Sequence, residues 1–419
     1  MSKLKELGFI NIMFTLIMVT FFIPPLILNP IFLGLLLVTV IFRFFLKKES
    51  FHRKNFNKIS FFFIVYFSVL LISLLYSEDL KRGIEILASS MSFLIVPLIP
   101  LFISKEEVNL EFVAKKYIHC LCFVFFVLFF IAIYKNVKEG YTLSYIFDIL
   151  KTTDVENGKY EYFNYWYFVY DKFTEPLNIQ PIYLGLFTNV GLLFLFFFKK
   201  RMKVKSFLFQ LTVLSLLILL IASRWQILIF FLNCFLFVVF FEDSKAIVKI
   251  GVLISFTTII LIVSIANPVT RTRIKEAFTY KEAFYKDNFG GISIRLKKWD
   301  SAIKCISESP LIGFGVGDGK NELLNQYRKD KFYLGLYNKY NSHNQYIDTL
   351  LQVGFLGLIP LLLIFFYAYK YSLNKMFLLL LTNTFAIGFI TESMLNRQWG
   401  VISFSFLLIV FSIFDFKKV

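Results

Sequence analysis

The sequence between residues 206 and 241 is SFLFQLTVLSLLILLIASRWQILIFFLNCFLFVVFF, with one charged side chain, that of Arg224. As one continuous helix it would be about 54 Å long at 1.5 Å per residue, too long to cross about 30 Å of hydrocarbon once. A break at Ala222-Ser223-Arg224-Trp225 divides it into two runs, each close to the length of one span. The stretch therefore predicts two consecutive transmembrane helices that meet at Arg224.

The rest of the 419-residue chain has the same apolar character. Hydrophobic residues make up 58% of it and aromatic residues 20%, and the mean hydropathy is +0.69. A soluble globular chain is about half apolar even when glycine is counted, so this chain has more apolar surface than a water-soluble core can bury. The composition excludes an array of soluble domains and predicts an integral membrane protein.

Twelve apolar runs of near-spanning length follow one another along the chain. We expect an all-α, polytopic transmembrane bundle of about 12 helices with a long helical external loop. Pro97 and Pro100 predict a kink or a partly re-entrant path in the fourth run. The runs are 7–28, 30–46, 59–76, 84–103, 117–134, 181–198, 206–222, 225–241, 247–265, 346–367, 376–392 and 400–416.

The formal charge of +17 lies in short clusters between the apolar runs. A basic chain can indicate nucleic-acid binding, but Lys and Arg in short connections on one side of a membrane mark the cytoplasmic face. We therefore expect cytoplasmic N- and C-termini, and no nucleic-acid partner. Two long segments, 135–180 and 266–345, then lie outside, which is the periplasm in a double-membrane bacterium.

This topology divides the chain into three parts. Residues 1–265 hold transmembrane helices 1–9 and the external segment at about 135–180. Residues 266–345 form a large periplasmic loop, and residues 346–419 hold transmembrane helices 10–12.

The large loop carries a periodic segment. Residues 292–306 have apolar side chains at 292, 296, 299, 303 and 306, the spacing of one helix face. We expect a helix that lies along the membrane or packs on the bundle, with Trp299 as an interfacial anchor. The glycine-rich segment Gly313–Gly319 lacks the Gly-Lys-Ser/Thr ending of a nucleotide-binding loop, so it is interpreted as a tight connection between helices, with phosphate binding as the weaker alternative.

His343 is the strongest single candidate for chemistry. Ser342 and Gln345 fit a capping box for the tenth span, which would place His343 at the first position of that helix. There the positive end of the helix dipole disfavours imidazolium and leaves a neutral ring that could act as a general base. The alternative is a capping-region histidine without chemistry. Asp348, five residues after His343, is not on the same helical face as His343. No carboxylate nearby in the sequence is therefore expected to orient the histidine.

Two arginines at the predicted outer rim are further candidates. Arg224 lies at the break between two spans, where an ionisable residue is costly unless it is paired or functional. The alternative is a snorkelling interfacial arginine beside Trp225. Arg397 is a weaker candidate of the same kind, and Glu392 could pair with it.

Two other features were weighed for ligand binding. The external part of the chain contains no His/Cys/Asp cluster with metal-ligand spacing, so no metal site is predicted. The aromatic stretch 160–173 could stack on sugars or lie in the membrane interface, and both interpretations stay open.

Several motifs together resemble the shared domain of the O-antigen ligase and O-antigen polymerase superfamily. The similarity covers about 290–360, and the Ser223-Arg224 break and the Glu392–Trp399 segment agree with it. The motifs are Arg295-x3-Trp299-x2-Ala302, Ser309-Pro-Leu-Ile-Gly-Phe-Gly-Val-Gly317, His343-Asn344-x-Tyr346 and Gly354-x2-Gly357.

The resemblance implies a helical bundle like that of the C-type glycosyltransferases. It also implies a metal-independent, inverting transfer without a cofactor, at the periplasmic side of the inner membrane, from a glycan on undecaprenyl diphosphate. By motif, Arg224 and Arg295 would hold the donor diphosphate and His343 would activate the acceptor hydroxyl. Arg397, Lys298 and Lys320 are weaker candidates.

Among functions, the motifs are most like those of an O-antigen ligase, which transfers the finished glycan to lipid A-core or a similar hydroxyl acceptor in lipopolysaccharide biosynthesis. An O-antigen polymerase that extends the lipid-linked glycan, and a protein O-oligosaccharyltransferase, are the alternatives. From a different class, a lipid-linked sugar transporter should have polar residues spread through several spans, whereas these spans are nearly devoid of ionisable groups.

Overall fold

The computed structural model describes residues 2–25, 27–47, 51–139, 165–241, 258, 291–373 and 375–414. These residues form helices and connecting turns, with no β-strand among them, which confirms the all-α prediction. In chain order the α-helices are α1 (Ser2–Val19), α2 (Leu28–Lys47), α3 (Lys58–Ser73), α4 (Leu80–Ser90), α5 (Ser92–Leu98), α6 (Leu110–Lys138), α7 (Tyr170–Thr174), α8 (Pro181–Phe198), α9 (Val204–Ile221), α10 (Arg224–Phe241), α11 (Gly291–Glu308), α12 (Gly319–Lys329), α13 (Tyr333–Tyr337), α14 (Gln345–Ser372), α15 (Met376–Thr391) and α16 (Gln398–Ile413).

The helices reproduce the predicted membrane spans. Seven helical segments among the described residues are long and apolar enough to cross a membrane, and shorter apolar helices match the first, eighth, eleventh and twelfth predicted runs. The predicted run 247–265 lies outside the described residues apart from residue 258. The run with Pro97 and Pro100 is divided between α4, α5 and a 3-10 turn, Ile99–Phe102; Pro97 lies inside α5 and Pro100 inside the turn.

The two runs between residues 206 and 241 are separate helices. α9 ends at Ile221, and Ala222 then takes a left-handed conformation with φ of 49°. A left-handed residue directly after a helix redirects the chain and stops the helical hydrogen-bond ladder. The next helix, α10, begins at Arg224, as the sequence predicted.

α16 forms the centre of the bundle, and its residues 399–413 are all buried. Phenylalanine rings pack around it: the ring centroids of Phe389 and Phe404 are 4.7 Å apart, and those of Phe377 and Phe411 are 4.4 Å apart. Helices in a membrane associate through close packing, since lipid is as apolar as their side chains. Tilted aromatic pairs supply that packing, which accounts for the abundance of phenylalanine.

α14 is broken in its middle at Gly354, which has φ of 58° and ψ of −157°. The two amides after the break donate to the carbonyls of Pro310 and Leu311, at 2.9 and 3.1 Å. Two carbonyls before the break accept from the amides of Phe314 and Gly315, both at 2.9 Å. The segment between α11 and α12 is therefore hydrogen-bonded into the interrupted backbone of α14, and this fixes the N-terminal half of that helix.

The predicted helix of the large loop is present as α11, but its packing face differs from the prediction. Of the predicted apolar stripe, Leu296 is 39% exposed and Ile303 is 61% exposed. The helix packs on α12 and α14 through small side chains instead, and Ser301, Ala302 and Cys305 are buried. Small residues let the helices approach closely. Leu296 and Ile303 of the stripe face away from the bundle, whereas Ile306 packs against the buried cluster around Ala302 and Trp299 contacts the Ser342 carbonyl.

Candidate active site

His343 is hydrogen-bonded to Glu392, and its Nδ1 lies 2.9 Å from the carboxylate Oε2. Burial by itself would raise the pKa of the Glu392 carboxyl. The hydrogen bond from His343 and the charges of His343 and Arg295 outweigh burial, and they hold this pKa below its usual value. A carboxylate at Nδ1 makes that nitrogen the proton donor, so the lone pair of a neutral ring is on Nε2.

Glu392 directly follows α15, and its backbone amide donates to the Gly388 carbonyl at 3.0 Å. Its side chain is 13% exposed and that of His343 is 29% exposed. Solvent therefore reaches the pair mainly from the side of the histidine. The suggested pairing of Glu392 with Arg397 is not found: among the described residues the Glu392 carboxylate is hydrogen-bonded to the His343 ring. We call His343 and Glu392 the dyad.

The predicted capping box is also wrong. α14 begins at Gln345, and Asn344 is its N-cap, whose side-chain oxygen accepts from the amides of Tyr346 and Ile347 at 3.0 and 3.2 Å. The Ser342 hydroxyl instead accepts from the Asn344 amide at 3.1 Å and donates to a carboxylate oxygen of Asp348 at 2.5 Å, so its hydrogen bonds lie within the loop before the helix and to Asp348. His343 therefore lies just before the helix, in a left-handed conformation with φ of 51°.

The loop that carries His343 is fixed from two sides. The indole Nε1 of Trp299 on α11 donates to the Ser342 carbonyl at 3.0 Å. From α14, the buried Asp348 carboxylate accepts from the Ser342 hydroxyl and from the Asn396 amide, the latter at 2.7 Å. Asp348 does not touch His343, but it ties the His343 loop to the turn after Glu392.

Two cations of α11 lie near the dyad. Arg295 is half-buried: burial lowers its pKa, and the negative charge of Glu392 opposes that effect. Lys298 is only 4% exposed, and its Nζ lies 3.8 Å from the centroid of the Tyr340 ring. Burial, with repulsion from Arg295, lowers the pKa of Lys298 to about 7. Within the described residues, no group of three or more His, Cys, Asp or Glu side chains could hold a metal ion.

The glycine-rich segment is a packed connection between α11 and α12, as its first interpretation held. Gly313 and Gly315 have φ of 67° and 101°, in the left-handed region that favours glycine. The four amides from 314 to 317 donate to two carbonyls of α14 and to the hydroxyls of Ser73 and Ser77. Since all four amides are occupied inside the protein, the weaker alternative of a phosphate-binding loop is not supported.

Residues 182–362 match a family model described as O-Antigen ligase. The matched segment runs from α8 into α14 and contains Arg224, Arg295 and His343. This segment of the chain is similar to the O-antigen ligase family. No curated protein matches it.

Arg224, which lies within the matched segment, is at the first position of α10 and is half-buried. α10 packs against α15, where the Asn233 amide donates to the Thr384 hydroxyl at 2.9 Å. Asn233 is nine residues after Arg224, and Thr384 is eight residues before Glu392. At about 1.5 Å per residue, these two antiparallel helices place Arg224 and Glu392 at a similar depth in the bundle.

The aromatic segment is described from residue 165 onward. Phe168 packs on Phe129 with ring centroids 5.3 Å apart, and Phe173 is 1% exposed, so part of the segment belongs to the bundle. Tyr170, at the start of α7, is an electrostatic neighbour of Arg295. The segment thereby reaches the site, although residues 160–164 lie outside the described residues.

Lys320 and Arg397, the remaining candidates, do not contact the dyad but share a cleft with Arg82. The cleft has a volume of about 370 Å³, and Asn341 and Asn396 also line it. Burial lowers the pKa of the Lys320 ammonium, and the positive charges of Arg82 and Arg397 lower it further. The structure therefore divides the predicted cations into a group on α11 and a group in this cleft.

Sequence reasoning found His343 and Arg295 but missed the role of Glu392. One signal was present: Glu392 is an ionisable residue at the end of an apolar span, where burial is costly without a partner. The same rule that selected Arg224 would have selected it. Its partner lies 49 residues away, however, and only the fold brings the two together.

Proposed function

We propose that this protein is an O-antigen ligase-like glycosyltransferase. It moves a glycan from undecaprenyl diphosphate to a hydroxyl of lipid A-core or a similar acceptor, in one metal-independent, inverting step. The observation that carries this proposal is the dyad, a histidine oriented by a buried carboxylate with Arg295 as its electrostatic neighbour.

The dyad supplies the base. Nε2 of His343 takes the proton of the acceptor hydroxyl while the acceptor oxygen bonds to the anomeric carbon. The imidazolium that forms is stabilised by Glu392, which also holds the ring in the tautomer that leaves Nε2 unprotonated beforehand. The left-handed backbone at His343 and the Trp299 contact to Ser342 set the position of the ring.

The leaving group is a diphosphate. The bond between the anomeric carbon and the phosphate oxygen breaks, and its electron pair leaves with undecaprenyl diphosphate. A guanidinium can contact phosphate oxygens through two hydrogen bonds and offset the developing charge. Arg295 and Arg224 are proposed for this role, and Lys298 adds positive charge when it is protonated.

We place the reaction at the periplasmic side of the bacterial inner membrane, with both termini cytoplasmic. The basic short connections support this orientation, since Lys and Arg concentrate on the cytoplasmic side. Under it, α10 starts and α15 ends at the outer face. That is the side at which the dyad, Arg295 and Arg224 are found.

The deciding experiment supplies purified protein in nanodiscs with an undecaprenyl-diphosphate-linked glycan and with lipid A-core. We expect single-step transfer to lipid A-core, and the same rate after treatment with a chelator. A ladder of longer carrier-linked chains would instead identify a polymerase, and transfer to protein hydroxyls an oligosaccharyltransferase. Movement of the intact lipid-linked glycan across the bilayer without any transfer would identify a transporter.

A further inference from the structure

The cleft that holds Arg82, Lys320 and Arg397 is a cationic concavity that the donor chemistry above does not use. Its volume of about 370 Å³ is within the roughly 300–1,000 Å³ of small-ligand pockets. Buried leucines line its inner part, with Leu323 1% and Leu351 2% exposed. The cleft can therefore accept a compact molecule that has both apolar and anionic surface.

The three cations of the cleft have no carboxylate at ion-pair distance in the part of the chain that the structure describes. Arg82 donates to the neutral Asn321 side chain at 3.0 Å. Two carboxylates also line the cleft: that of Glu85, a residue exposed to solvent, and that of Asp348, whose oxygens already accept hydrogen bonds from Ser342 and Asn396. The three cations outnumber them. Like charges around one cavity repel each other, and a bound anion would relieve that repulsion.

Both segments that carry the dyad contribute to the lining of the cleft, together with residues of α4, α12 and α14. Asn341 lines it, and its side-chain oxygen accepts the backbone amide of His343 at 3.3 Å. On the other segment, Asn396 and Arg397 line the cleft four and five residues after Glu392. The cleft is therefore adjacent to the loop that carries His343, although neither His343 nor Arg295 lines it.

We propose that this cleft binds an anionic group, a phosphate or a carboxylate, on the acceptor glycan, and thereby selects the acceptor. The inference rests on the proposed transferase function, in which two substrates must meet at His343. Donor diphosphate on the Arg295 side leaves the cleft for the second substrate. Arg82, Lys320 and Arg397 are its specificity-determining residues.

The test uses the full chain in phosphatidylcholine nanodiscs with two acceptors: a phosphorylated core oligosaccharide, and the same oligosaccharide after phosphatase treatment. We expect the wild type to have a higher kcat/KM for the phosphorylated acceptor. Arg82→Gln and Lys320→Gln should each reduce that preference about tenfold or more, the size of one charge-assisted hydrogen bond. Arg82→Lys, which keeps the charge, should restore part of it, and Lys329→Gln on the exposed face of α12 is the matched control.

Calorimetric titration of the phosphorylated oligosaccharide without donor gives a second readout. Weaker binding of the oligosaccharide to Arg82→Gln than to the wild type supports the proposed role of the cleft. If binding weakens in this way but no acceptor is glycosylated, only the proposed transferase function fails. If the Arg82→Gln and Lys320→Gln variants lose kcat/KM equally for both acceptors, or lose it for neither, that result would overturn the inference. So would competition by phosphatidylglycerol nanodiscs that abolishes oligosaccharide binding, because the anion would then be a lipid headgroup.

Discussion

The Nδ1 atom of His343 and the Oε2 atom of Glu392 are 2.9 Å apart, although two membrane helices separate them along the chain. His343 precedes α14 and Glu392 follows α15. An antiparallel helical pair returns the chain to the face from which it left, so its two ends can meet. The pair α14–α15 thus brings the proposed base and the carboxylate bonded to it together at one face of the bundle.

Glu392→Gln is expected to lower kcat by about 10²- to 10⁴-fold, because an amide can hold His343 in the wrong tautomer and cannot stabilise the imidazolium. Steady-state kinetics with the lipid-linked donor measure the loss, and KM for the donor should change little. The exposed Glu308→Gln on α11 is the control and should be fully active. Wild-type kcat in Glu392→Gln would contradict the dyad's role.

His343→Ala and Arg295→Ala are each expected to abolish turnover while the protein still inserts and elutes as the wild type does. One variant lacks the base and the other lacks a partner for the diphosphate. Arg295→Lys should restore little, since an ammonium cannot make the two-point contact of a guanidinium. Full activity in either alanine variant would disprove the role assigned to that residue.

Trp299→Phe removes the hydrogen bond to the Ser342 carbonyl while it keeps an aromatic ring. We expect the unfolding free energy to fall by about 1 kcal/mol. We also expect kcat to fall roughly ten- to hundredfold, because a displaced His343 loop misplaces the base. Thermal unfolding and kinetics separate the two effects. Loss of stability with an unchanged kcat would show that Trp299 does not position the loop for catalysis.

Lys298→Met should change how stability depends on pH. Burial lowers the Lys298 pKa from 10.5 to about 7, so between these values the unfolded chain binds more protons than the folded one. The unfolding free energy of the wild type should therefore rise with pH from about 7 to about 10. Below that window Lys298 is charged in both states, so the full cost of burying its ammonium lowers the stability. The variant should lose this slope in unfolding midpoints measured across the window. Lys329→Met, at an exposed site, should keep it.

Gly354→Ala is expected to destabilise the protein by more than about 1 kcal/mol, since an L-residue is strained at φ of 58°. The added Cβ would also lie 2.3 Å from the carbonyl carbon of Leu311. Gly34→Ala in α2 is the matched control, because a Cβ there meets no atom within 4 Å. Equal unfolding midpoints for the two variants would contradict the packing described for the break in α14.

Much of the fold could be predicted because its signals are local. Run length and hydropathy predicted the spans, and the break before Arg224 follows from a run too long for one crossing. The packing face of α11 could not be predicted the same way, because small side chains such as Ser301 and Ala302 carry no hydropathy signal. The cap of α14 differs from the local pattern because Asn344 accepts from the first helical amides, while the Ser342 hydroxyl accepts from the Asn344 amide and donates to Asp348.

The sequence by itself determined an all-α membrane bundle and, through its motifs, His343 and Arg295 as candidates, since apolar run length and motif spacing are properties of neighbouring residues. Only the tertiary structure decided that Glu392 orients His343, and that Arg82, Lys320 and Arg397 line one cleft. These contacts join residues far apart in the chain. The return of antiparallel helices to one face and the packing of the external loop on α14 set their geometry.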